Sequence, residues 1–65
     1  MSYIETRGKT TEEIIREQYP YVDDFRFERI DGKLIIKTSM TGIAESLQRL
    51  MRYIAPDTPY SLEEL

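Results

Sequence analysis

The sequence predicts an α+β fold: a small β-α-β-β-α domain with two helices packed on one face of a short, mostly antiparallel three-stranded sheet. Three observations carry that expectation. Thr10 with Glu13 three residues on is a capping box that opens a helix, and Asp31-Gly32 between two β-rich runs is the signature of a tight hairpin. Ile43, Leu47, Leu50, Met51 and Ile54 recur at the spacing of one helical face before Pro56.

The elements follow in chain order. Ser2 to Arg7 reads as a short strand from the β-propensity of Tyr3 and Ile4, and Gly8 then marks a turn. The first helix is expected from about Thr11 to Gln18, with Glu12 and Glu13 placed where the helix dipole favours anions. Its apolar stripe is narrow, Ile14, Ile15 and Tyr19, and Pro20 forces Tyr19 out of helical geometry. In the hairpin, a two-residue turn fixes the register and sets Ile30 opposite Lys33, Phe27 opposite Ile36 and Phe25 opposite Thr38. Alternation then puts Phe25, Phe27, Leu34 and Ile36 on the core face, and Arg26, Glu28, Ile30, Lys33, Ile35 and Lys37 on the reverse. Thr41 is the expected N-cap of the second helix, Glu45 and Arg49 form an i,i+4 pair, and Pro56 stops it. Residues 1–55 thus form the compact domain. Residues 56–65 read as an acidic tail, with Ser61 able to cap one helical turn of Leu62-Glu63-Glu64-Leu65.

Composition narrows the chemistry. Sixty-five residues suffice for one domain, and a chain of that size buries only about 60% of its unfolded surface. It has no His and no Cys, which excludes thiolate and imidazole chemistry, zinc sites and disulfides; the expectation is no cofactor, no metal and no catalytic residue. Bases and acids balance at nine each as far as Ala55, so Asp57, Glu63 and Glu64 supply the whole net charge of −3. Such a balance is not the basic stripe that phosphate binding usually needs. The apolar runs are too short to span a bilayer and no signal-peptide pattern is present, so the expected setting is cytoplasmic, without a membrane partner.

Four patterns invite a functional reading, each beside a plainer one. Gly8-Lys9-Thr10-Thr11 resembles the end of a phosphate-binding loop, but Tyr3 stands where such a loop needs its first glycine, leaving a turn and an N-cap. Lys37 to Gly42 leads from a strand into a helix with three hydroxyls, an arrangement able to hold an anion or simply to cap. Asp23 and Asp24 are adjacent carboxylates of the kind that assist an oxygen-ligated metal or acid-base work, but a strand points neighbours to opposite faces, which leaves a solvated strand entry. Phe25-Arg26-Phe27 offers aromatics and a base for stacking nucleobases, yet the same two rings are needed to complete the core.

The leftover apolar residues carry the functional expectation. Ile30 and Ile35 fall on the reverse sheet face, and Tyr3, Tyr21, Met40, Tyr53 and Tyr60 have no assured place in so small an interior. Tyr3, Ile30, Ile35, Tyr53 and Tyr60 form the expected interaction surface, because tyrosine is enriched in interface cores. The protein is therefore expected to be a non-enzymatic protein–protein interaction module, a small regulator or inhibitor, whose partner is another protein or a second copy in a homodimer. The alternative is a nucleic-acid-binding domain that uses Arg26, Lys33 and Lys37 on the outer face of the 24–38 hairpin.

Overall fold

A computed structural model of the chain describes residues 6–65. Within them the order is α1 (Thr11–Gln18), β1 (Arg26–Ile30), β2 (Lys33–Thr38), a 3-10 turn at Thr41–Ile43, α2 (Ala44–Ile54) and β3 (Tyr60–Glu64). The described part is α+β and begins with a helix, so the expected β-α-β-β-α order is not observed. The strand expected from Ser2 to Arg7 falls mostly outside the described residues, and its last member, Arg7, lies in the turn with Gly8.

Local sequence sets α1. Thr10 accepts the Glu13 amide at 3.1 Å while the Glu13 carboxylate accepts the Thr10 amide at 2.9 Å, closing the capping box. At the other end Tyr19 leaves helical geometry, but its amide still reaches the Ile15 carbonyl at 3.1 Å. The hairpin follows its turn chemistry. Asp31 and Gly32 take φ of 52° and 80°, and the pairing runs from Arg26 opposite Lys37 to Ile30 opposite Lys33, as the sequence predicts.

The largest departure lies at the carboxyl-terminal end. Tyr60–Glu64, expected as a tail with a helical turn, is instead a strand that pairs in parallel with β2, Leu34 beside Tyr60 and Ile36 beside Leu62. The sheet is therefore mixed, ordered β1-β2-β3, with one antiparallel and one parallel pair where a mostly antiparallel one was expected. A parallel neighbour needs a long crossover, and α2 supplies it. Pro59 fits the strand entrance: it has no N–H to place, and its carbonyl accepts the Leu34 amide at 2.9 Å.

Both helices cover one face of this sheet. Ile14 and Ile15 of α1 share a cluster with Leu47, Leu50 and Met51 of α2, with Leu34 and Ile36 of β2, and with Tyr19, Val22, Phe25 and Ile43 from the connections. Phe27, Ile54, Tyr60 and Leu62 pack against its margin. Polar contacts hold α1 to β1: Arg29 reaches both carboxylate oxygens of Glu12 at 3.3 Å, and the Arg16 guanidinium lies 5.0 Å from the centre of the Phe27 ring. Partial burial works to raise the Glu12 pKa, but the Arg29 hydrogen bond, the Glu12 amide and the Arg29 charge outweigh it and hold the carboxyl below its ordinary value. Thr41 does not cap α2; it opens the 3-10 turn, and α2 begins after Ile43 without a side-chain cap. The Glu45–Arg49 pair is present at 3.4 Å, exposed at both ends and therefore worth little.

Leu47 lies at the centre of the cluster with none of its surface exposed. Leu47→Ala is expected to cost about 2–5 kcal/mol, comparable with what so small a core supplies in total. Urea titration should find the variant largely unfolded in buffer; a midpoint near that of the wild type would show that α2 does not pack through this residue.

Candidate functional site

The residues expected to form one interaction surface are divided between two faces. Ile30 is 54% exposed on the reverse sheet face, near the hairpin turn. Ile35, expected beside it, is only 9% exposed: Glu28 and Ser61 flank it on the neighbouring strands, and the diagonal Glu28–Lys37 ion pair, 2.8 Å, runs alongside. A second burial of Ile35 is thus not available to drive association, and among the described residues Ile30 and Ile35 do not form an exposed isoleucine patch. Tyr60 points to the helical side and packs against the core. Tyr53 is on α2, 62% exposed. Tyr3 lies outside the described residues.

The reverse face is also mixed in charge. Arg26 and Lys33 are exposed, but Lys37 is tied to Glu28 and stands beside Glu63 in the sheet. The Lys37–Glu28 hydrogen bond and charge raise the lysine pKa and lower that of the glutamate, so both stay charged and answer each other. Phe25 and Phe27, whose rings stack 5.5 Å apart, belong to the core side and do not form a base-stacking platform. Ser61 Oγ is buried and has no hydrogen-bond partner among the described residues.

What α1 and α2 create between them is more open. Gln18 and Tyr19 at the end of α1 and Ser46, Arg49, Leu50 and Tyr53 on α2 line a cleft of about 380 Å³. Its floor is pinned by the Tyr19 hydroxyl, 2.7 Å from Ser46 Oγ, while Ser46 Oγ also donates to the Ile43 carbonyl at 3.1 Å. Tyr21 meets the Tyr19 ring edge-on at 6.1 Å and is itself 63% exposed. The aromatic surface therefore continues from Tyr53 across the cleft to Tyr21. Of these residues the sequence places Tyr53 on the expected interaction surface and leaves Tyr21 without an assured place in the core, and it marks none of the others as a contact. A usable signal was present, since Ser46, Leu50 and Tyr53 repeat at helical spacing as a second stripe beside the main apolar face. A smaller cleft of about 200 Å³ lies at the other side of α2, between Met51, Ala55 and Tyr60.

The strand exit at Thr38-Ser39, one of the two candidate anion-binding patterns, already holds an anion of the chain's own. The fully buried Thr38 hydroxyl donates to Asp24 Oδ1 at 2.6 Å and accepts the Met40 amide at 3.1 Å. Ser39 gives its hydroxyl and, at 3.2 Å, its amide to Asp24 Oδ2. Asp23 is exposed, so the adjacent carboxylates do not converge. The Gly8-Lys9-Thr10 pattern likewise resolves into a turn, the N-cap and a Lys9–Glu17 ion pair at 2.7 Å.

Ser39 above all, then Thr38, holds the Asp24 carboxyl below its ordinary value of 3.8, against a smaller opposing effect of burial. The folded state thus binds this proton less tightly than the unfolded one. Its stabilisation is complete above the unfolded value, near pH 4, and is lost as pH falls through the lower folded value. The same sign holds for Glu12, Glu13 and Glu28. Urea midpoints are expected to drop between about pH 5 and pH 2, and Asp24→Asn, weaker at neutral pH, should show a shallower drop. An identical slope in wild type and variant would contradict the Asp24 contacts.

No helix among the described residues is long and apolar enough to cross a membrane. No protein-family model, no curated protein and no solved structure matches this chain.

Proposed function

We propose that this protein is a protein–protein interaction module that acts by occupying a partner's surface, as a small regulator or inhibitor, and performs no chemistry of its own. The observation that carries the reading is the aromatic cleft between α1 and α2. Tyr53 and Leu50 line the concave surface with Tyr19, and Tyr21 extends the aromatic surface through its edge contact with Tyr19; Tyr53 and Tyr21 are both more than 60% exposed. Large rigid aromatics around a concavity supply contact area at low entropic cost, and Tyr and Arg are the residue types that anchor interfaces. Gln18 and Arg49 add polar groups at the rim, which suit orientation of a partner. A nucleic-acid role finds less support, because Lys37 is neutralised by Glu28 and the reverse face alternates in sign.

The test is capture from a lysate of the source organism with immobilised wild type and with the double variant Tyr21→Ser, Tyr53→Ser. Both side chains are exposed, so the variant should melt with the wild type. The expected result is a protein retained by the wild type, lost by the variant and little affected by salt. Retention of the same protein by both would place the contact elsewhere. Nucleic acid in the eluate, released steeply by salt, would favour the other reading, since phosphate contacts exchange for counterions.

A further inference from the structure

We infer that two copies of this chain pair through the outer edge of β1, antiparallel about a two-fold axis at Phe27, joining two sheets into one. This goes beyond the cleft on the helical side and does not depend on it.

The peptide groups of β1 alternate between its two edges. A two-residue hairpin turn makes Ile30 and Lys33 a hydrogen-bonded pair, so Arg29 and Leu34 form the next, non-hydrogen-bonded pair. The Leu34 amide confirms that phase by turning away from β1 to the Pro59 carbonyl. Along β1, then, Arg26, Glu28 and Ile30 spend their peptide groups on β2, while Phe27 and Arg29 present theirs outward. Among the described residues β1 pairs with β2 alone. An edge of this kind is a template for another strand unless charge opposes it.

Charge selects both the occupant and the register. Side-chain alternation allows only pairings that match like faces, and three such registers centre inside β1. One centred on Glu28 sets that carboxylate against its own copy, and one centred on Arg29 does the same with two guanidinium groups. Centring on Phe27 instead places Arg26 opposite the partner's Glu28, and Glu28 opposite the partner's Arg26. Those are non-hydrogen-bonded positions, where side chains come closest. Arg26 is exposed and has no ion-pair partner among the described residues. Glu28 keeps half of its side chain exposed beside Lys37. In the same register the outward peptide groups of Phe27 meet those of the partner's Phe27. The opposite edge, β3, ends in Glu63-Glu64 and carries no base of its own to set against a second copy, so it lacks this self-complementarity.

Charge exchange tests the pairing. Sedimentation velocity over a concentration series is run on wild type, Arg26→Glu, Glu28→Arg and the double variant carrying both, with far-ultraviolet circular dichroism to show that each is folded. The wild type is expected to dimerise reversibly. Each single variant sets like charges opposite one another twice and should weaken dimerisation roughly tenfold or more, and the double variant should restore it. A wild type that stays monomeric at every concentration overturns the inference. Single variants that dimerise as well as wild type place the interface elsewhere, and a double variant no better than the singles overturns the register.

Discussion

The structure depends on β2 being central. Leu34, Ile36 and Thr38 are fully buried on the helical side, Ile35 is nearly so on the reverse, and the strand is paired along both edges. A strand in that position spends its peptide groups on both neighbours and buries four of its six side chains, all but Lys33 and Lys37, so its neighbours are fixed by what it requires of them. β1 arrives through a two-residue turn that leaves no freedom of register. α2 must then carry the chain back so that β3 can run parallel, and in doing so it lays Leu47, Leu50 and Met51 over the same face. A chain of this size has few apolar side chains to spare. Placing both helices on one side gathers them into a single cluster instead of two thin ones.

Polar demand at the end of that strand is met by the chain itself. Thr38 is a buried hydroxyl, which is costly unless bonded, and Asp24 accepts from it while the Met40 amide donates to it. The loop before β1 is thereby tied to the exit of β2. Tyr19 and Ser46 make the corresponding tie between the two helices. These contacts leave the strand-exit hydroxyls committed, and the open surface of the molecule lies elsewhere, in the tyrosine-flanked cleft and along the outer edge of β1.

Much of this was legible in the sequence, for identifiable reasons. The capping box, the Asp-Gly turn and the Ile43 to Ile54 periodicity are local signals that agree with the tertiary structure, so α1, the hairpin register and the core face follow from them. What escaped depends on distant partners. Leu62-Glu63-Glu64-Leu65 after Ser61 has the spacing of a capped helical turn, yet Tyr60 and Leu62 also alternate with Ser61 and Glu63 at strand period. Only pairing with β2 decides between the two. Thr41 carried an N-cap composition, but Met40 and the 3-10 turn shift the start of α2 past it. The contact residues suffered most. Ile35 faces the reverse side as alternation requires, but its burial reflects neighbours on both adjacent strands, one of them the unforeseen β3. The cleft needed the relative placement of two helices, which no single helix encodes.

Docking of the Tyr60–Glu64 strand is what makes β2 central, and amide hydrogen exchange at Leu34 reads it most directly. That amide donates across the parallel pair to the Pro59 carbonyl, whereas the Lys33 amide belongs to the hairpin. The expected result is protection of Leu34 equal to that of the core amides of α2, lost only on global unfolding. Fast exchange at Leu34 with Lys33 still protected would mean that the hairpin stands without its third strand, and would contradict the account.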